Sequence, residues 1–297
     1  MKTVLVTGAN GFIGRHALNP LIEKNYTVHA LYANHHPIYE HPRVYWHQVN
    51  LHDHSAVQKF LQTIQPSHLL HLAWFAKPNE YWTSPANLEW LHNSINLLNH
   101  FIDIKGKRAV FVGSCAEYDW QFQHCHEFKT TCAPHTLYGS AKHALYLLAS
   151  SLSKLNHLSF AWARLFYLFG AHEYKERLIP SAINHFLKNR VMTVKNKNQQ
   201  RDFMYVGDVA DALVSLLDSS VEGPVNIASG RVTSLGELIE QIANRLDKQS
   251  FIQYETQPIH NDILAADITR LQNEVRWQPS YTLDRAIDET IAWWQRQ

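Results

Sequence analysis

Ser114, Tyr138 and Lys142 are side chains whose types suit the handling of a proton at a carbonyl group. Tyr138 and Lys142 stand four residues apart in Leu137-Tyr-Gly-Ser-Ala-Lys142, so on a helix they share one face. A free phenol titrates near pH 10, at about that value too high for neutral-pH chemistry. A neighbouring ammonium favours the phenolate and brings the tyrosine toward the useful range. The spacing alone also fits an ordinary helix face, so its meaning depends on what accompanies it.

A phosphate cradle accompanies it. Thr3-Val-Leu-Val6 is a short apolar β-branched run, followed by Thr7-Gly-Ala-Asn-Gly-Phe-Ile-Gly14. Apolar residues then recur at helical spacing through Ile13, Ala17, Leu18, Leu21 and Ile22, and Tyr26 to Tyr32 restarts a strand. Strand, glycine turn, helix, strand is the context in which such glycines hold a dinucleotide. Gly8 permits the turn, Gly11 lets the backbone approach a pyrophosphate, and Gly14 lets the helix pack on the sheet. The helix start near Phe12, Ile13 and Gly14 offers free N–H groups to phosphate.

The choice of nicotinamide coenzyme turns on the end of the second strand. NAD-binding units usually carry an acidic residue there; this chain has Tyr32, then Ala33, Asn34, His35 and His36. No carboxylate is there to repel a 2′-phosphate and no arginine to grip one. The reading leans to NADP over NAD, with Asn34, His35 or Arg15 as candidate contacts.

Size and composition fit a soluble enzyme. The 297 residues are enough for one large domain or two modest ones. With 45% hydrophobic and 18% charged residues the composition is ordinary. A formal charge of +1 gives no reason to expect nucleic acid or an anionic membrane as partner. No apolar run reaches the roughly 18 residues of a membrane span, and no signal-peptide pattern opens the chain. Three cysteines form no disulfide framework, so a reducing cytoplasm is the expected compartment.

Further strand-like runs cover 44–49, 68–73, 108–112 and 158–163, with helical stretches at about 55–64, 86–104 and 138–155. That alternation predicts a Rossmann-type, doubly wound parallel α/β sheet over 1–167. Residues 168–297 are read mainly as a smaller α/β substrate-binding lobe, with segments able to return to the first domain. Ligands in such sheets gather beyond the carboxyl ends of the strands. Ser114 directly follows one of those ends and is placed to meet Tyr138 and Lys142.

These residues resemble the extended short-chain dehydrogenase/reductase family, in its NAD-dependent, nucleotide-sugar epimerase/dehydratase branch. The likeness is carried by the glycine motif, His71-Leu-Ala73, Gly113-Ser114 with Tyr118, and Tyr138-x-x-x-Lys142. It continues in Arg164 to Gly170, in Gln200-Arg-Asp-Phe-Met-Tyr-Val-Gly-Asp208, in Ala266-Asp267 and in Trp277-x-Pro279. The resemblance implies Ser114, Tyr138 and Lys142 as the catalytic set. It implies coenzyme contacts at Asn50, Leu51, Leu72, Ala73 and Asn93. It implies a nucleotide-sugar substrate whose diphosphate is held by Arg201, with Arg177 as a second contact. The family's usual asparagine after Arg164-x-x is replaced by Tyr167.

Among the family's reactions, the segment after Ser114 discriminates. The 4,6-dehydratases place acid–base residues at the next two positions, which here are Cys115 and Ala116, while Glu117 falls third. Family members that epimerise at C3 and C5 use a cysteine two positions after the serine; Cys115 is one position after. The remaining chemistry needs only hydride and one proton. The resemblance therefore points to reduction of a 4-keto-6-deoxy sugar nucleotide, with a 4-epimerase retaining NAD as the alternative. A cofactor-sensing or scaffolding member without catalysis is the third reading.

His124, Cys125, His126, Cys132 and His135 bring thiols and imidazoles close together, but their spacing matches no structural zinc pattern. A loop over the sugar is the preferred reading, with no metal. Ser234 and Glu237 read as a capping box, and Trp293 and Trp294 as packing residues. The helix from Tyr138 is apolar on more than one face, through Ala141, Ala144, Leu145, Leu147, Leu148 and Leu152, and family members commonly dimerise through it. A homodimer is expected.

Overall fold

The computed structural model describes residues 2–34, 37, 39–255 and 262–297. Seven strands form its central sheet: β1 (Lys2–Thr7), β2 (Tyr26–Tyr32), β3 (Val44–Gln48), β4 (His68–His71), β5 (Arg108–Ser114), β7 (Ser159–Leu165) and β11 (Gly223–Ile227). They lie in the order β11-β7-β5-β4-β1-β2-β3. Every pairing is parallel. The doubly wound α/β expectation is met.

Alternation along the strands sends side chains to two separate cores. Val4 and Val6 join Ala17, Leu18 and Leu21 of α1 (Gly14–Glu23) and Val209, Leu213 and Leu217 of α6 (Val206–Asp218). Leu5 joins the opposite core, with α2 (His54–Ile64), α3 (Ala86–Asp103) and α4 (Leu137–Leu155). Both faces being covered explains why the strands read as nearly continuous apolar runs.

Parallel pairing stacks the carboxyl ends of the strands at one edge. Thr7 is opposite His71, His71 opposite Phe111, and Ser114 opposite Leu165. That edge is where the candidate functional groups collect.

The later part of the chain builds a second sheet from β6 (His124–Cys125), β8 (Tyr167–Phe169), β10 (Gln200–Tyr205), β12 (Val232–Ser234) and β14 (Ile263–Ala266). A two-stranded pair, β9 (Met192–Val194) and β13 (Ile252–Tyr254), lies beside it. A third core forms where α5 (Leu178–Leu187), α7 (Leu235–Leu246) and α9 (Leu283–Trp294) pack together. Short α8 (Thr269–Asn273) packs beside β11. The capping box of Ser234 and Glu237 is present at the start of α7. α6 and β11 lie within the central sheet's layers although they follow residue 168 in sequence. Buried Asp208 ties the C-terminal segment to α6 by accepting from Ser280 and Tyr281. No helix among the described residues is long and apolar enough to cross a membrane.

Candidate active site

The glycine loop crosses the ends of β1 and β4 at close range. Gly8 has φ +67°, and a Cβ there would stand 2.9 Å from the Ala73 amide nitrogen. At Gly14 a Cβ would fall 2.2 Å from the Gly8 carbonyl oxygen, so only hydrogen lets α1 start this close to the turn. The cleft this opens holds about 470 Å³. Gly8, Gly11, Ala73 and Trp74 line one part, and Tyr32, Asn34, Asn50, Leu51 and His52 another. Its shape and free backbone suit a dinucleotide.

The remaining coenzyme-side positions lie around that cleft. Phe12 contacts the His16 ring, while Ile13 and Leu72 pack against the core. Asn93 is buried behind the wall, bonded to His52 Nδ1 at 3.0 Å and His54 Nε2 at 2.8 Å. It therefore braces His52, which lines the cleft. Arg15, a candidate 2′-phosphate contact, is engaged within the chain. Its guanidinium donates to the carbonyls of Gly11 and Asn10 and contacts His172 at 2.8 Å, so it clamps the glycine loop. His35 lies outside the described residues.

Ser114 ends β5, and its hydroxyl caps a short 3₁₀ turn by accepting from the Ala116 amide at 3.1 Å. Tyr138 and Lys142 occupy the first turns of α4, whose N-cap Thr136 accepts from the Gly139 amide. The Ser114 hydroxyl lies close enough to the Tyr138 phenol to draw its pKa down. Three rings meet the Tyr138 ring nearly edge-on: Tyr81 at 4.9 Å, Trp82 at 5.7 Å and Trp74 at 6.5 Å. This enclosure pushes the phenol above its ordinary range, against the pull of Ser114.

Lys142 departs from its expected part. Its ammonium is buried, donates to the Val112 carbonyl at 2.7 Å and lies 3.8 Å from the centre of the Trp74 ring. Burial lowers its pKa to about 7. Burial outweighs the neighbouring groups at Tyr138 and holds its phenol above the ordinary range.

Glu117 was the unassigned residue of this loop. Fully buried, its carboxylate accepts from the Ser114 amide at 2.8 Å, from Trp162 Nε1 and from Arg164 Nε at 3.0 Å. Burial raises its pKa, but Arg164 and the hydrogen bonds outweigh that and hold it below the usual carboxylate range. Cys115 is also buried, which pushes its thiol up to about 12. Neither group is free to move a proton at a substrate carbon.

Two arginines stand beyond the phenol. Arg177 reaches toward the Tyr81 hydroxyl at 3.4 Å, with its guanidinium 5.0 Å from that ring's centre. Arg201 is buried, bonded to the Tyr167 hydroxyl at 3.0 Å and paired with Asp262 at 2.8 Å. Tyr167, where the resemblance has asparagine, thus orients Arg201. Asp202, beside it, accepts from Ser229 and Gly230 and is architectural.

Other groups show their roles only in three dimensions. His71 links Thr7 Oγ1 at 2.7 Å to Ser94 Oγ at 2.8 Å, a buried brace beneath the cleft. Burial and Lys142 hold its pKa near 3, so it stays neutral. Burial pushes Glu173, before Arg177, up to about 8, and its Oε2 has no hydrogen-bond partner among the described residues. In the Cys/His segment, Cys125 is buried and His135 faces Asp119 at 3.5 Å. Among the described residues no three His, Cys, Asp or Glu side chains converge as metal ligands.

Comparison with known proteins follows the same lines. The model of the NAD dependent epimerase/dehydratase family matches residues 4–228, and the chain belongs to that family of nucleotide-sugar enzymes. It is 21% identical to the UDP-glucuronate 4-epimerase of Thermodesulfobacterium geofontis, over 99% of this chain and 96% of the relative. It is 22% identical to the CDP-abequose synthase of Salmonella muenchen, over 98% and 97%. The solved UDP-N-acetylglucosamine 4-epimerase of Methanobrevibacter ruminantium shares the fold at TM-score 0.90, with 23% identity, 100% of this chain and 99% of that one covered.

Proposed function

We propose that this enzyme reduces the keto group of a nucleotide-linked sugar, at C4 of a 4-keto-6-deoxy hexose. One observation carries the reading: the Tyr138 phenol stands beside the Ser114 hydroxyl and keeps its proton, while neither following residue is a usable acid or base. NAD(P)H supplies hydride to the carbonyl carbon when bound in the glycine-lined cleft. Tyr138 donates its proton to the carbonyl oxygen, and Ser114 donates a hydrogen bond that fixes that oxygen. Lys142 restores charge balance beside the phenol and holds the coenzyme ribose. Gly8, Gly11, Gly14 and the amides of Phe12 and Ile13 receive the pyrophosphate. Arg201, with Arg177, binds the sugar nucleotide's diphosphate.

The coenzyme reading shifts on structural grounds. With Arg15 committed to the glycine loop, no described arginine or lysine lines the cleft to meet a 2′-phosphate. NAD(H) is the better fit than the NADP favoured by sequence. Michaelis constants for NADH and NADPH decide between them.

A second reading is a 4-epimerase with retained NAD, favoured by the relatives and structural neighbours named as 4-epimerases. It uses the same serine, tyrosine and lysine. The test is incubation with a 4-keto-6-deoxy sugar nucleotide and reduced coenzyme, following absorbance at 340 nm (roughly the nicotinamide band). Inversion of a nucleotide hexose with no added coenzyme and no net redox would overturn the reductase reading.

We also infer a homodimer. On α4, Ala141 and Leu145 are buried within the chain while Leu147, Leu148 and Leu155 are exposed. Leu148→Glu is expected to halve the mass seen by light scattering if that face is covered by a second copy.

A further inference from the structure

Trp74 touches both the coenzyme cleft and the proton-transfer groups. Its ring lines the cleft. The same ring takes the Lys142 ammonium on its face at 3.8 Å and stands 6.5 Å from the Tyr138 ring, edge to face. Its indole N–H donates to Asn87 Oδ1 at 2.9 Å, and Trp90 packs against it at 6.4 Å. Asn87 is itself fixed, fully buried, with its amide nitrogen donating to the Tyr81 and Ser84 carbonyls. The indole is therefore held in place between the coenzyme cleft and the proton-transfer groups.

Lys142 is held by the same arrangement. A cation against an indole face in a dry site is a strong contact of its kind, and the Val112 carbonyl takes one of the ammonium's hydrogens. While both contacts persist, the ammonium does not reach into the cleft. A bound dinucleotide draws the ammonium into the cleft only by breaking these contacts.

We propose that Trp74 is a gate between the coenzyme cleft and the Ser114–Tyr138–Lys142 site, closed in this structure by its contacts with Lys142 and Asn87. Seating of a dinucleotide turns the indole aside and releases the ammonium toward the cleft. Trp74 is thus a positioning residue, acting through Lys142. The inference rests on the reading that NAD occupies this cleft.

Two measurements on the full-length protein test it, with NAD⁺ as the probe. In stopped-flow binding, the observed rate for wild type should level off at high NAD⁺, because opening of the gate becomes limiting. W74A should show no plateau over the same range and bind about tenfold faster, the scale of the contacts removed. W74F, which keeps a ring face but loses the Asn87 bond, should fall between them and guards against misfolding of the smaller variant. In a spectrum of protein labelled with ¹⁵N-tryptophan, the indole resonance missing from W74F is that of Trp74. It should shift when NAD⁺ saturates the wild type. A linear rate for wild type with no gain in W74A, or a Trp74 resonance unmoved in the NAD⁺-bound protein, overturns the gate while leaving the coenzyme reading intact. Absence of any NAD⁺ binding to wild type overturns the coenzyme reading and the gate together.

Discussion

The Glu117 carboxylate accepts the Ser114 amide N–H at 2.8 Å while it pairs with Arg164 Nε at 3.0 Å. One buried anion thus fixes both the end of β5 and an arginine of β7. The hydroxyl beside Tyr138 is carried at that strand end, so its position depends on a fully buried residue.

Removing that anion should cost much more than a hydrogen bond. Glu117→Gln leaves Arg164 buried and uncompensated, which typically destabilises by about 3–5 kcal/mol. Because the folded pKa of Glu117 is depressed, its stabilisation is full above the unfolded carboxylate range and is lost as pH falls from there through the lower folded value. Denaturant unfolding at pH 7 and at pH 4 should show the variant's deficit shrinking at the lower pH. An equal deficit at both would separate the effect from charge.

Tyr138→Phe keeps the ring and its three aromatic neighbours but removes the donor. Turnover should fall by about 10²–10⁴-fold with NAD⁺ affinity retained, as measured by steady-state kinetics beside calorimetry. A cofactor sensor without catalysis would have no turnover to lose and would respond to NAD⁺ as before.

Lys142 is kept at a cost to the fold. Its folded pKa of about 7 lies below the ordinary lysine value of 10.5, because burial opposes the charge. The unfolded chain binds the extra proton between those values, so the deficit is full below pH 7 and vanishes as pH rises past 10.5. Lys142→Met should therefore raise the melting temperature most near pH 6 and least near pH 10, while abolishing activity. A melting temperature that falls at every pH would contradict the assignment.

Arg201 is already engaged by Asp262 and Tyr167, so a diphosphate must compete with or join that pair. Arg201→Met should remove most of the thermal stabilisation given by nucleoside diphosphates, and Asp262→Asn should increase it. A screen of UDP, GDP, CDP and dTDP against the three proteins measures this and names the base. Unchanged shifts in Arg201→Met would take the diphosphate away from this arginine.

Much of the fold was legible because periodicity and glycine placement are local signals. The strand from Thr3, the turn at Gly8 and the helix from Gly14 follow from residue type alone, as does the cap at Ser234. The meeting of Ser114 with Tyr138 was legible from the strand-end placement of Ser114 and from the resemblance, not from nearness in the chain, since 23 residues intervene. What stayed hidden depends on three-dimensional surroundings. Glu117 looked like a displaced acid–base group until Arg164 and Trp162 appeared around it. Lys142 shares the helix face of Tyr138, yet a carbonyl and an indole claim its charge. Arg15 read as a candidate phosphate contact because its turn onto the Gly11 and Asn10 carbonyls, and onto His172 far along the chain, is set only by the fold.

The return of β11 to the edge of the central sheet, beside β7, sets an order of events during synthesis. A ribosome must extrude the polypeptide past Ile227 before the seventh strand can dock and before α6 can shield its face. Nascent chains shorter than this carry an open β7 flank, prone to pairing with other chains. The step that closes the layer comes late, long after the glycine loop of residues 8–14 has left the exit tunnel.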